Sequence, residues 1–238
     1  MKSIIKVFQV AFVFIGTIVG AGLASGKEIT NFFTVYGYKS FFTIIMTGLF
    51  YIFLCNIISR ISIKHSLNSY SEVINTVSPN ILGKLTGIIT TFYLISSASI
   101  ILAGSGALLN QYFGIPKIIG SIFMAIIASL ILMRETDGLV EINSIIVPSL
   151  IIVTTTLMIL YVAFANDPIT IDSLVSSTPK LSKGVFTSGI LYCGYNILCC
   201  CGVIVPLSNE VKSKKIMTWG IILGSVLLTI ICIFINSM

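Results

Sequence analysis

Seven long apolar stretches alternate with short polar ones along the 238 residues of the chain. They run over residues 4–36, 41–61, 84–112, 118–133, 142–165, 185–207 and 216–235. A helix needs about 20 apolar residues to cross a hydrocarbon core of about 30 Å, and most of the stretches reach that length. The pattern predicts an all-α, polytopic membrane helix bundle of about seven transmembrane helices, forming one transmembrane domain over residues 1–238. Three polar segments punctuate it. Residues 62–82 hold His65, Glu72 and a Ser78-Pro79-Asn80 turn, and are long enough for a short surface helix. Residues 134–138 (Arg134-Glu135-Thr136-Asp137-Gly138) read as a charged turn, and residues 166–183 as a loop with Pro168 and Pro179 each beside a polar residue.

The first stretch is too long for its task. Its roughly 33 residues would span about 50 Å as one helix, so a broken or strongly tilted helix is expected. It carries Gly16, Gly20, Gly22 and Gly26, then Lys27-Glu28. A glycine costs about 1 kcal/mol relative to alanine inside a helix, and a charge at membrane depth about 2.5–3.5 kcal/mol or more. A span that only crossed the bilayer would need neither. The helix is expected to be interrupted here, with exposed backbone forming a binding site.

Composition sharpens the class. The chain is 56% hydrophobic and 9% charged, with mean hydropathy +1.06; a soluble domain runs near 25% charged. This excludes a soluble domain. One histidine and eight acidic residues leave few parts for catalysis. The spans hold no HExxH, paired aspartates or Ser/His arrangement, so no enzyme is expected. The net charge of +6 is no nucleic-acid footprint, because the basic residues sit between spans. With a cytoplasmic N-terminus, nine of them lie inside (Lys2, Lys6, Arg60, Lys64, Lys84, Arg134, Lys212, Lys214, Lys215) and four outside (Lys39, Lys117, Lys180, Lys183), with Lys27 left within the membrane. The positive-inside rule then predicts N-terminus in and C-terminus out. The first stretch reads as a retained span rather than a signal peptide. All six cysteines lie in apolar stretches. Cys199-Cys200-Cys201 cannot converge on a metal from one helix, because consecutive residues point in different directions; no metal site is expected.

The sixth stretch holds the second anomaly. Gly189, Gly194 and Gly202 interrupt it, Tyr195-Asn196 sits near its middle, and Pro206 comes near its inner end. An asparagine in hydrocarbon needs a partner or a watery cavity; helix–helix contact and cavity lining both satisfy this. The first and sixth spans lie five apart. Paired interrupted helices at matching places in two halves point to a secondary transporter with an inverted repeat. Residues 1–165 would form the first five-helix repeat and residues 185–238 the first two helices of the second.

The segments GTIVGAGLASGKEITNFF (residues 16–33) and YCGYNILCCCGVIVPL (residues 192–207) resemble the YkvI-like family of bacterial membrane proteins. That family resembles the amino acid–polyamine–organocation transporter superfamily, whose fold is the LeuT-like five-plus-five inverted repeat. The resemblance covers nearly the whole chain and implies about three further spans after residue 235, so the chain reads as truncated after the seventh helix, or as one part of a split protein. The eighth span, which helps to form a sodium site in related transporters, is not among those present. The coupling ion, sodium or proton, therefore stays open, and no other cofactor is implied.

The resemblance implies alternating access around a small solute, with an amino acid as the expected class. The substrate-binding candidates are Gly20, Ala21, Gly22, Ser25 and Gly26 in the first span and Gly194, Tyr195 and Asn196 in the sixth. Freed amides at a helix end favour a carboxylate, and freed carbonyls a cation or amino group. Lys27 and Glu28 are gating candidates; the alternative for both is snorkelling to an interface. Thr17 is expected to bond its own helix backbone. The small residues at 96–99 and 104–107 predict close helix packing, with cavity lining as the second reading. A ligand-sensing subunit on the same fold, resembling germinant receptors, is the competing class, and a non-functional transporter fragment the third reading. The expected partners are the solute and the lipid bilayer, with oligomeric state open.

Overall fold

A computed structural model describes residues 2–164 and 184–237. The polar loop predicted at 166–183 lies outside the described residues. The described elements are helical: α1 Lys2–Ile18, α2 Ala21–Ala24, α3 Lys27–Phe32, a 3₁₀ turn Thr34–Tyr36, α4 Lys39–His65, α5 Tyr70–Val77, α6 Ile81–Phe113, α7 Lys117–Leu132, α8 Glu135–Phe164, α9 Val185–Val211 and α10 Lys214–Ser237. Five of them (α4, α6, α8, α9 and α10) are long and apolar enough to cross a membrane. At 17 and 16 residues, α1 and α7 span about 25 Å, short of the core. Among the described residues, five helices therefore meet the length for a span, and two more are apolar but shorter. The first predicted span divides into α1, α2 and α3, and the fourth is a short apolar helix.

The core lies among α1, α4, α9 and α10. Val13, Phe14 and Ile15 of α1 are buried there against Ile44 and Tyr51 of α4, Tyr192 of α9 and Ile221 of α10. In lipid no hydrophobic drive brings helices together, so close approach must come from small residues and hydrogen bonds. The structure uses both. Gly220 and Gly224, one turn apart on α10, lie against α1: a Cβ on Gly220 would sit 2.5 Å from Val10 Cβ, and one on Gly224 2.8 Å from Phe14 Cδ1 and 3.0 Å from the Ala11 carbonyl. This Gly-x-x-x-Gly spacing was legible in the sequence but was not among the expectations. Gly48 of α4 abuts Thr229 of α10, and Gly189 of α9 abuts Thr43 of α4. Between α4 and α9, Ser208 Oγ and Ser59 Oγ are 2.9 Å apart, and Ser62 Oγ donates to the Val205 carbonyl at 2.8 Å.

α8 packs along α1, while α6 and α7 form a hairpin at the edge. Its seam is small residues, as expected for 104–107: a Cβ on Gly120 would come 3.2 Å from the Gly106 Cα, and Ser121 Oγ donates to the Leu102 carbonyl at 3.1 Å. Most of α6 stays exposed, with Phe92, Ile95 and Ile100 facing outward.

Two expectations need correction, and a third is met. The sixth span is not interrupted. α9 runs unbroken from Val185 to Val211, with Pro206 inside it. Glycines lower helix stability without ending a helix, and Asn196 donates back to the Tyr192 carbonyl at 2.9 Å, so its amide is satisfied by the helix itself. The charged turn predicted at 134–138 shrinks, because α8 already begins at Glu135, whose φ of 50° makes the corner. Arg134 pairs with Glu141 one helical face along, through two hydrogen bonds; both side chains are exposed, where such pairs add little. The short surface helix expected in 62–82 is α5. Ser69 caps it by accepting from the Glu72 amide, and Glu72 reaches back to the Asn68 amide at 2.7 Å.

Candidate functional site

The interruption expected in the first span is present. The backbone ladder of α1 runs out at Val19, whose amide donates to the Ile15 carbonyl at 2.8 Å. One turn, α2, follows. The chain then reverses its twist at Gly26, whose φ of 74° is the left-handed region that glycine enters freely. The Gly26 amide donates to the Leu23 carbonyl at 2.9 Å. Two hydroxyls cap the turn: Ser25 Oγ donates to the Gly22 carbonyl at 3.2 Å and Thr30 Oγ1 to the Gly26 carbonyl at 3.0 Å. Thr17 Oγ1 donates to the Val13 carbonyl at 2.7 Å, within its own helix.

Glu28 turns inward from this break. Its side chain folds over Gly22 so closely that a Cβ there would lie 2.6 Å from Glu28 Cγ and 2.7 Å from Cδ. Only glycine leaves the carboxylate room. Tyr195 Oη, from α9, donates to Glu28 Oε2 at 3.2 Å. Tyr195 lies about 15 Å along α9 from Val185, so this contact sits at hydrocarbon depth. The aromatic rings of Phe32, Tyr192 and Tyr195 close around it, with centroids 5.3 to 5.7 Å apart. Phe33 meets Tyr192 edge-on at 5.0 Å. Tyr93 of α6 approaches the same face of α9 one turn further on, its hydroxyl 3.8 Å from Cys199 Sγ.

Adjacent residues on a helix diverge by about 100°, and this separates two predicted pairs. Lys27 and Glu28 do not face each other's surroundings. Glu28 is half-buried toward α9, whereas Lys27 is exposed and lines a cavity against α8 and α10. Tyr195 and Asn196 likewise diverge. Asn196 is 3% exposed and donates to Tyr51 Oη of α4 at 3.0 Å. It links α9 to α4.

The remaining candidates fall as follows. Gly20 and Gly194 have open space where a side chain would project. Ala21 opens α2. The break is also tied down at positions that no local pattern marked. Ser188 Oγ donates to the Phe32 carbonyl at 2.7 Å. Asn236, near the end of α10, accepts from Thr34 Oγ1 and donates to Ser40 Oγ, each at 2.9 Å.

The fold and its apolar helices define an all-helical membrane protein. No family model matches the chain, and no solved structure matches it. Two proteins of Bacillus subtilis (strain 168) are similar to it. The chain is 30% identical over 230 residues to one named uncharacterized membrane protein YkvI, covering 94% of this chain and 63% of that one. It is 31% identical over 137 residues to one named uncharacterized protein YyaD, covering 58% of this chain and 39% of that one. The chain therefore spans less than two thirds of the length of these relatives. The first similarity supports the YkvI-like resemblance and the placement in a membrane.

Proposed function

We propose that this chain is a YkvI-like membrane protein that acts as a secondary transporter of a small zwitterionic solute, with an amino acid as the expected class. The observation that supports it best is the helix break between Ile18 and Lys27, over which the Glu28 carboxylate is held by Tyr195. An interrupted helix at membrane depth is tolerated where its backbone is buried in protein or lines a water-filled cavity. A carboxylate there marks a substrate or ion path by default. In this reading, backbone groups from Gly20 to Gly26 meet the solute's charged ends and Glu28 lies beside its ammonium.

Alternating access then requires the α1–α3 segment to move against α9, and the Glu28–Tyr195 hydrogen bond is the latch that breaks. The reading assigns α1–α8 to the first repeat of a LeuT-like five-plus-five fold and α9–α10 to the start of the second, with the N-terminus cytoplasmic. The inverted symmetry rests on the resemblance alone, because only the first of the two expected breaks is present. The reading includes no catalytic step and leaves the coupling ion, sodium or proton, to experiment.

Accumulation in proteoliposomes is the test. Protein reconstituted without other components should concentrate at least one labelled amino acid under an imposed sodium or proton gradient. A protein that binds an amino acid but never accumulates it would be a sensor, and the transport reading would fall.

A further inference from the structure

We propose that Glu28 exchanges a proton for the solute's ammonium, so that each solute bound at the break displaces one proton from this carboxyl group. The inference rests on the solute-site reading and names its coupling ion. It begins from the charges that surround Glu28. The side chain is half-buried and turned toward α9, at a depth where an isolated charge is expensive.

No fixed cation offsets that charge. Among the described residues, the ion pair present is Arg134–Glu141. Lys27, the neighbour in sequence, lines the cavity against α8 and α10 instead. The titratable groups close enough to feel the Glu28 charge are Tyr192 and Tyr195 of α9, Tyr93 of α6 and Cys232 of α10. These are phenols and a thiol, types that are neutral near pH 7. The hydrogen bond from Tyr195 Oη, at 3.2 Å, spreads a negative charge without cancelling it.

Neutralisation must then come from something that arrives. A proton serves when the site is empty and the solute's ammonium when it is filled. Both need the same two oxygens, and with both or neither a net charge would be left in the low-dielectric site. Tyr195 suits each state, because a phenol O–H donates to a carboxylate and its oxygen accepts from a carboxylic acid. A hard metal cation suits the place less. Such ions take about six or more oxygen ligands, whereas the rings of Phe32, Tyr192 and Tyr195 close around Glu28. In the exchange, the carboxylic acid and the ammonium give an ion pair and one free proton, which leaves to the side on which the site is open. On the opposite side a proton returns and the ammonium leaves. Alternating access thus moves one solute against one proton.

Equilibrium binding of the twenty tritiated amino acids to the full 238-residue chain, from about pH 5 to pH 7, tests this. Over that range the backbone ammonium and carboxylate of an amino acid stay largely ionised. The affinity of any that binds should fall on acidification, approaching about tenfold per pH unit. Glu28→Gln should bind more weakly and without pH dependence. Glu210→Gln, at the exposed end of α9, should keep the wild-type slope. Infrared difference spectra supply a second readout: binding should remove a carboxylic acid carbonyl band from the wild type, and Glu28→Gln should show no such loss. A flat wild-type profile, or binding that tightens on acidification, would overturn the exchange and leave the solute site standing. Accumulation in proteoliposomes driven by sodium at equal pH on both sides would also overturn it. Binding of none of the twenty would overturn the exchange together with the reading beneath it.

Discussion

Replacing Gly22 with alanine asks whether the Glu28 latch is held by the shape of the break. The new Cβ would lie 2.6 Å from Glu28 Cγ and 2.7 Å from Cδ, against an optimal carbon–carbon separation of about 3.5–4.0 Å. The carboxylate must leave, and its bond from Tyr195 Oη goes with it. A hydrogen bond to a charged group is worth about 1.5–3 kcal/mol; Glu28 is half-buried and rehydrates when released, so the lower end applies. Alanine also returns up to about 1 kcal/mol of helix propensity within α2. The net cost is then about 0.5 kcal/mol, too small to be diagnostic alone. The coupling is diagnostic. Tyr195→Phe should cost about 1.5 kcal/mol in the wild type and close to nothing in the Gly22→Ala background. Four proteins in one detergent, unfolded at equilibrium with sodium dodecyl sulfate, give the cycle. Independent sites add to within about 0.3–0.5 kcal/mol, so a coupling of about 1.5 kcal/mol is resolved. If Tyr195→Phe costs the same in both backgrounds, Gly22 does not position Glu28. Gly20→Ala is the control, since nothing lies within 4 Å of its Cβ; it should add independently with Tyr195→Phe.

Asn196→Ala should destabilise the fold by about 2 kcal/mol by removing two hydrogen bonds and leaving Tyr51 Oη unpartnered. The variant should still bind solute once folded; selective loss of binding at wild-type stability would show that Asn196 belongs to the site instead. Gly224→Val should cost about 1–3 kcal/mol through overpacking against Phe14 and Ala11, read by the same denaturation, and a neutral effect would refute the close α1–α10 contact. Orientation is checked by cysteine labelling in intact cells. Ser69→Cys should stay protected from an impermeant maleimide while Tyr38→Cys reacts, and the reverse result would invert the proposed topology.

The first break was legible because two local costs coincided. Four glycines and a charged pair in one apolar stretch have no use in a plain spanning helix, and the chain does part there. The sixth span offered glycines and one asparagine, but an asparagine can satisfy itself on the carbonyl four residues back, and α9 continues through it. Residue-by-residue reading grouped Lys27 with Glu28 and Tyr195 with Asn196 as pairs. Helical rotation splits each pair, sending Glu28 and Tyr195 toward one another while Lys27 and Asn196 face other helices. The clamp made by Thr34, Asn236 and Ser40 joins residues about 200 positions apart, and no periodicity carries such a contact. Gly220 and Gly224 were readable from spacing alone.

The central claim is that the break in the first span, with Glu28 beside it, is a solute site. Equilibrium binding of the twenty tritiated amino acids to the purified chain, by scintillation proximity, tests it most directly. At least one should bind saturably to the wild type and to Lys27→Gln, and Glu28→Gln should weaken that binding about tenfold or more. Binding that survives Glu28→Gln unchanged, or a wild type that binds none of the twenty, would contradict the account.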